Sequence, residues 1–157
     1  MTYFSAKYEL EMSYQFAQIV LFRPLLHYLR IMADGGKISL AQSQYALSCI
    51  KLASTTILRS EVMIKQGGVV HPGSWMTVYT IFLSVMCLIF LIAAHNGTSQ
   101  PSEAWQRAAA GIRLIATCKC VDSCSSAGLR VLKVSTCFSI CGSHTYRSRV
   151  ISWRDIC

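Results

Sequence analysis

Charge is what this sequence has least of. Only 14% of its 157 residues are Asp, Glu, Lys or Arg, while 53% are hydrophobic. Ordinary globular chains carry about a quarter of their residues charged. A composition this apolar calls either for a bilayer or for a partner that covers exposed patches. A secretory leader is also lacking, because residues 1–16 hold Lys7, Glu9 and Glu11 with no apolar core before a small-residue cleavage site. A reducing compartment is therefore expected, in which the eight cysteines are buried free thiols rather than a disulfide scaffold. The Asn96-Gly97-Thr98 sequon has no meaning in that setting.

Catalytic patterns are missing as well. There is no GxSxG elbow, P-loop, dinucleotide fingerprint or HExxH pair. His27, His71 and His95 lie on or beside helix boundaries without a Ser, Asp or Glu at a telling spacing, so capping or interfacial roles are expected of them. No catalytic or cofactor-binding residue is nominated, and no enzyme is expected. Metal-ligand chemistry is confined to Cys118, Cys120, Cys124, Cys137, Cys141 and His144, with gaps of one, three and three residues. Zinc sites favour gaps of two to four within each half. The set does not match well enough to nominate a metal site, and inert thiols are expected. The net charge of +8 is spread over single Lys and Arg residues, the nearest approach to a cluster being Arg147, Arg149 and Arg154. That pattern describes a solvated basic tail, not a specific nucleic-acid site.

What the chain does have is a long apolar run, SWMTVYTIFLSVMCLIFLIAAH, from Ser74 to His95. About twenty such residues suffice to cross a bilayer, and equally to form the buried central helix of an all-helical domain. Thr77, Thr80, Ser84 and Cys87 recur at three- and four-residue steps, which predicts one thin face on that helix. Other helices are expected on either side. The first runs from about Phe4 to Ala33, kinks at Pro24 and ends at Asp34-Gly35-Gly36. A second starts at Ser39, with Gln42 in the reciprocal capping-box position, and stops at Gly67-Gly68. Leu47, Ile50, Ser54, Ile57 and Ile64 give it approximate helical spacing. A last one starts at Ser102 with Glu103 in its first turn, and its Ala-rich face, AWQRAAAGIRLIATC, is the expected partner of the thin face. The fold expected is all-α, an irregular bundle around an apolar central helix.

The run QFAQIVLFRPLLHYL, Gln15 to Leu29, resembles the aliphatic-Arg-Pro-Leu motif in the regulatory domain, or middle homology region, of fungal zinc-cluster transcription factors. The order of the following parts also resembles that domain: a long helix, a Trp-initiated apolar helix, an Ala-rich helix, then the turn and helix start DSCSSAGLRVLK at Asp122 to Lys133. The resemblance implies a partial regulatory domain over residues 1–133, acting in the nucleus to regulate transcription. The family's zinc cluster needs six cysteines in a compact basic module, yet the first cysteine here is Cys49. Specific DNA binding by this chain alone is therefore not expected. A truncated fragment, with helices of the parent domain missing, would account for the apolar composition. A protein partner or a homodimer through exposed apolar surface is expected, and no effector is specified. Residues 134–157 have no helical period and read as an atypical tail, foreign to the domain, from an unspliced or shifted frame. The rival reading is a small membrane protein with a single span at residues 75–94. Neighbouring helices of family type weigh against it.

Overall fold

The computed structural model describes residues 2–65, 75–94 and 102–117, together with Arg130. Five α-helices and one 3-10 turn account for nearly all of them: α1 Thr2–Phe22, the 3-10 turn Arg23–Leu26, α2 His27–Ala33, α3 Leu40–Lys65, α4 Trp75–Ala94 and α5 Ser102–Thr117. There is no strand among the described residues. The fold is all-α. The expected stops after Lys65 and Ala94, the start at Ser74, the segment 122–133 apart from Arg130, and the tail from 134 lie outside the described residues.

Local chemistry sets the first breaks. Pro24 has no amide hydrogen to continue the ladder of α1, and the backbone tightens there into the turn Arg23–Leu26 before α2 resumes. At the end of α2 the amide of Gly35 donates to Met32 O at 3.1 Å and that of Gly36 to Ile31 O at 2.8 Å. Gly35 has φ +78°, the left-handed conformation that this Schellman ending requires. A side chain at Gly36 would collide with Ile31, so the chain needs glycine at both places. At the start of α3 the capping box closes in both directions. The amide of Ser39 donates to Gln42 Oε1 at 3.0 Å, and the amide of Gln42 donates to Ser39 Oγ at 3.2 Å. Replacing an N-cap serine by alanine costs about 1 kcal/mol. Ser39→Ala should therefore lower the urea midpoint with an unchanged slope, and Ser39→Asp should restore it.

α1 and α3 run antiparallel. As numbers rise along α1, partners on α3 fall: Tyr8 to Ser60, Glu11 to Arg59, Gln15 to Thr56, Phe22 to Tyr45. Within this seam Met12, Ile19, Ala53 and Ile57 are buried, while Phe22 and Tyr45 stack with centroids 5.8 Å apart. The buried polar atoms are bonded: Thr56 Oγ1 reaches Gln15 Oε1 at 3.0 Å, and Tyr8 donates to Ser60 Oγ at 3.1 Å. The inner face of α3 differs from the expected one. Leu47 is half exposed, and Ile50, Ser54 and Ile64 are only partly buried, whereas Ala46, Cys49, Ala53, Thr56, Ile57 and Ser60 are buried. Packed against α1, α4 and α5 at once, α3 turns its smaller side chains inward. That choice brings backbones close.

α4 occupies the centre, touching α1, α3 and α5. It is long and apolar enough to span a bilayer, but 67% of its most apolar stretch is buried against protein. The hydroxyls on its thin face bond back to their own helix, Thr80 to Met76 O at 2.6 Å and Ser84 to Thr80 O at 2.8 Å, which allows burial without an outside partner. α5 lies against α4 as its Ala-rich face implies, with Ala108, Ala109, Ile112 and Ile115 buried. The thin face of α4 is not reserved for α5, however. α5 seats Gly111 against Val85 of α4, which is not one of the residues of that face, and against Ile57 of α3.

Candidate functional site

The motif that first marked the sequence sits at the corner where α1 turns into α2. Leu26 and Leu29 point into the core, 4% and 0% exposed, so these two leucines are packing residues. Arg23 is exposed. An arginine flanked by apolar residues keeps its head in water and lays its stem on the surface, and the exposed position of Arg23 agrees with that behaviour. His27 is exposed too, with Nδ1 donating to the Pro24 carbonyl at 2.5 Å and its ring 3.9 Å from that of Tyr28. This bond ties the side chain to the turn and gives His27 a structural task.

Beneath this corner is an arrangement that the sequence did not announce. Cys49 of α3 and Cys87 of α4 are 0% and 1% exposed, neither is in a disulfide, and the ionisation of one thiol is coupled to that of the other. The Cys49 thiol is held below the usual thiol range, first by the hydrogen bond from Cys87 and then by the positive field of Arg23, against the opposing effect of burial. Cys87 is pushed up, because ionising it would break the bond it donates and leave a charge in the core. Thirty-eight positions separate the two thiols in the chain, too far for any local pattern to link them. The available signal was that both lie on small-residue faces, Ala46-Cys49-Ala53 and Thr80-Ser84-Cys87. The other cysteine set, Cys118 to Cys141 with His144, lies outside the described residues.

A second feature is the back of α1. Leu10, Tyr14 and Leu21 expose 73%, 64% and 68% of their surface, with exposed Ala17 between them. Steps of four, three and four residues place all four on one stripe, opposite the buried side chains of Met12, Gln15 and Ile19. Nothing among the described residues covers them.

No family profile matches the chain, and neither does any solved structure. Two relatives do. Activator of stress genes protein 1 of Candida albicans is 31% identical over 97 residues, 60% of this chain and 10% of that protein. A protein of Saccharomyces cerevisiae described as a transcriptional regulatory protein, YJL206C, is 32% identical over 90 residues, 57% of this chain and 12% of that protein. The chain thus spans about a tenth of the length of the relatives it matches, and over more than half of itself it is similar to fungal transcriptional regulators.

Proposed function

We propose that this chain is regulatory-domain sequence of a fungal transcription factor of the zinc-cluster kind, working in the nucleus without a DNA-reading module of its own and without enzymatic activity. The observation that carries the reading is the similarity to two fungal regulators over more than half of the chain. Its support from the fold is an all-helical bundle broken at Arg23-Pro24, where the motif predicts the break. The exposed stripe of α1 fits a domain that is larger than this chain, in which further helices or a protein partner complete the surface.

Two measurements on the full chain test the proposal. Fused to an unrelated DNA-binding module in a fungal cell, the chain should change expression from a reporter carrying that module's site; a fusion that is present in the nucleus yet leaves the reporter unmoved refutes the regulatory role. By fluorescence anisotropy the chain alone should bind mixed-sequence and CGG-containing duplexes equally, at about 10⁻⁴ to 10⁻⁶ M, fading as salt rises. Specificity needs side chains positioned at base edges, which scattered Lys and Arg do not provide. A salt-resistant preference for one duplex would place a DNA-reading surface in this chain. The length and hydropathy of α4 keep one alternative, a single membrane span at Trp75–Ala94. Resistance of the tagged protein to alkaline extraction from membranes, with one end protected from protease, would establish that alternative.

A further inference from the structure

We propose that two copies of this chain associate through α1, the two helices running antiparallel about a two-fold axis between Tyr14 and Ala17. This narrows the partner named above to a second copy, and a chain that stays single would leave the regulatory reading untouched. The seam is the stripe Leu10, Tyr14, Ala17 and Leu21, all exposed. Its steps of four, three and four residues are those of the d and a places of a heptad repeat, a narrow seam that fits one facing helix. α1 packs on α3 and α4 by its other side, where Met12, Gln15 and Ile19 are buried, so the seam is open along its length among the described residues.

What selects a second copy is that the stripe complements itself when reversed. In an antiparallel pair Leu10 faces Leu21 of the other copy and Tyr14 faces Ala17, so the largest side chain of the seam always meets the smallest. A two-fold interface requires such a self-complementary patch. The parallel pair sets Tyr14 on Tyr14 and Ala17 on Ala17, crowded in one layer and hollow in the next. Charge decides in the same direction. Lys7, also exposed, stands one heptad before Tyr14, so the parallel pair would bring two like charges together. Reversal carries each Lys7 to the end of the other α1, whose last turn holds no basic residue and whose ladder stops at Pro24. Cations are favoured at that end of the helix dipole. On the rims of the seam, Glu11 is already paired with Arg59 of its own chain, and Ser13, Gln18 and Val20 carry no charge. The phenol is provided for as well. The Tyr14 hydroxyl accepts from Gln18 Nε2 at 3.1 Å, so its oxygen keeps a partner when the ring is covered.

Analytical ultracentrifugation of the full chain, kept reduced, tests this. A seam of two heptads is shorter than a standard interface, so the 17.4 kDa chain should show a reversible monomer–dimer equilibrium with a dissociation constant on the order of micromolar. Leu10→Glu or Leu21→Lys alone should weaken the dimer by at least about tenfold, because each sets a charge against an apolar contact. Both changes in one chain should recover most of the loss. The antiparallel pair then joins opposite charges at both ends of the seam, whereas a parallel pair would join like charges. Leu47→Glu on α3 and Phe90→Ser on α4 alter apolar residues exposed elsewhere and should leave the dimer as it is. Should a single α1 variant lose its helices by circular dichroism, Leu10→Ser or Leu21→Ser replaces it, with the same tenfold loss expected. A chain that stays monomeric up to about 100 µM would overturn the proposal and assign the stripe to a different protein or to further helices of a longer chain. Association that depends on Leu47 or Phe90 and not on α1, or a charge-swapped chain no tighter than the single variants, would overturn it too.

Discussion

Gly111→Val should be among the most damaging single changes in the bundle, lowering stability by about 2 kcal/mol and the melting temperature by about 4–8 °C. Gly111 is buried in α5 where three helices meet. A Cβ placed on it lands on Val85 Cγ2 and comes within 3.1 Å of Ile57 Cδ1. Valine gains a few tenths of a kcal/mol of helix propensity over glycine, but overpacking typically costs about 1–3 kcal/mol, so the steric effect wins. The end of Ile57 can swing aside, whereas the branched Val85 has little freedom at χ1. Shortening Val85 should therefore relieve the strain. In a cycle of Gly111→Ala and Val85→Ala, the double variant should be more stable than the sum of the single losses by at least about 0.5 kcal/mol. Strict additivity, or a Gly111→Val chain that melts like its parent, would mean that α5 does not seat against α4 and α3 as described. Thermal and urea unfolding followed by circular dichroism supply both readings.

The same glycine shows which parts of the structure were legible in the sequence. Features fixed within a few residues were readable: Pro24 breaks α1, Gly35 and Gly36 end α2, and Ser39 with Gln42 opens α3. Each follows from the backbone chemistry of the residue itself. Features set by distant neighbours were not. Gly111 reads in the chain as one more small residue of an Ala-rich helix, and only the approach of Val85 and Ile57 makes it irreplaceable. The inner face of α3 was misjudged for a related reason. Periodicity draws attention to large apolar residues such as Leu47, but three helices crowd around α3 and the buried positions went to Ala46, Cys49 and Ala53. The thiol pair was hidden in the same way. Cysteine spacing pointed to Cys118 and beyond, while the two buried thiols, Cys49 and Cys87, are thirty-eight positions apart on two small faces. In a bundle rich in small residues, size patterning carries the fold and hydropathy alone cannot read it.

Across the seam between α1 and α3, Thr56→Val should cost about 1–3 kcal/mol while Gln15→Leu costs less than about 1 kcal/mol, although both remove the same hydrogen bond. The difference lies in what each leaves behind. Thr56 is 0% exposed and its hydroxyl stands 3.0 Å from Gln15 Oε1 and 2.9 Å from the Leu52 carbonyl of its own helix. When Gln15 becomes leucine, the single hydroxyl proton turns wholly to Leu52 O, 2.9 Å away, and the new side chain adds apolar burial of similar volume. When Thr56 becomes valine, Gln15 Oε1 loses its donor inside a seam where Gln15 is only 4% exposed. An acceptor stripped of its partner and shut away from water carries the full desolvation penalty, which exceeds the small net worth of the bond. The double variant Thr56→Val with Gln15→Leu should recover most of the loss, since neither polar group then remains. Urea unfolding of the four chains decides it, and equal losses for the two single variants would show that Gln15 finds another donor and that the seam is not as closed as its burial indicates.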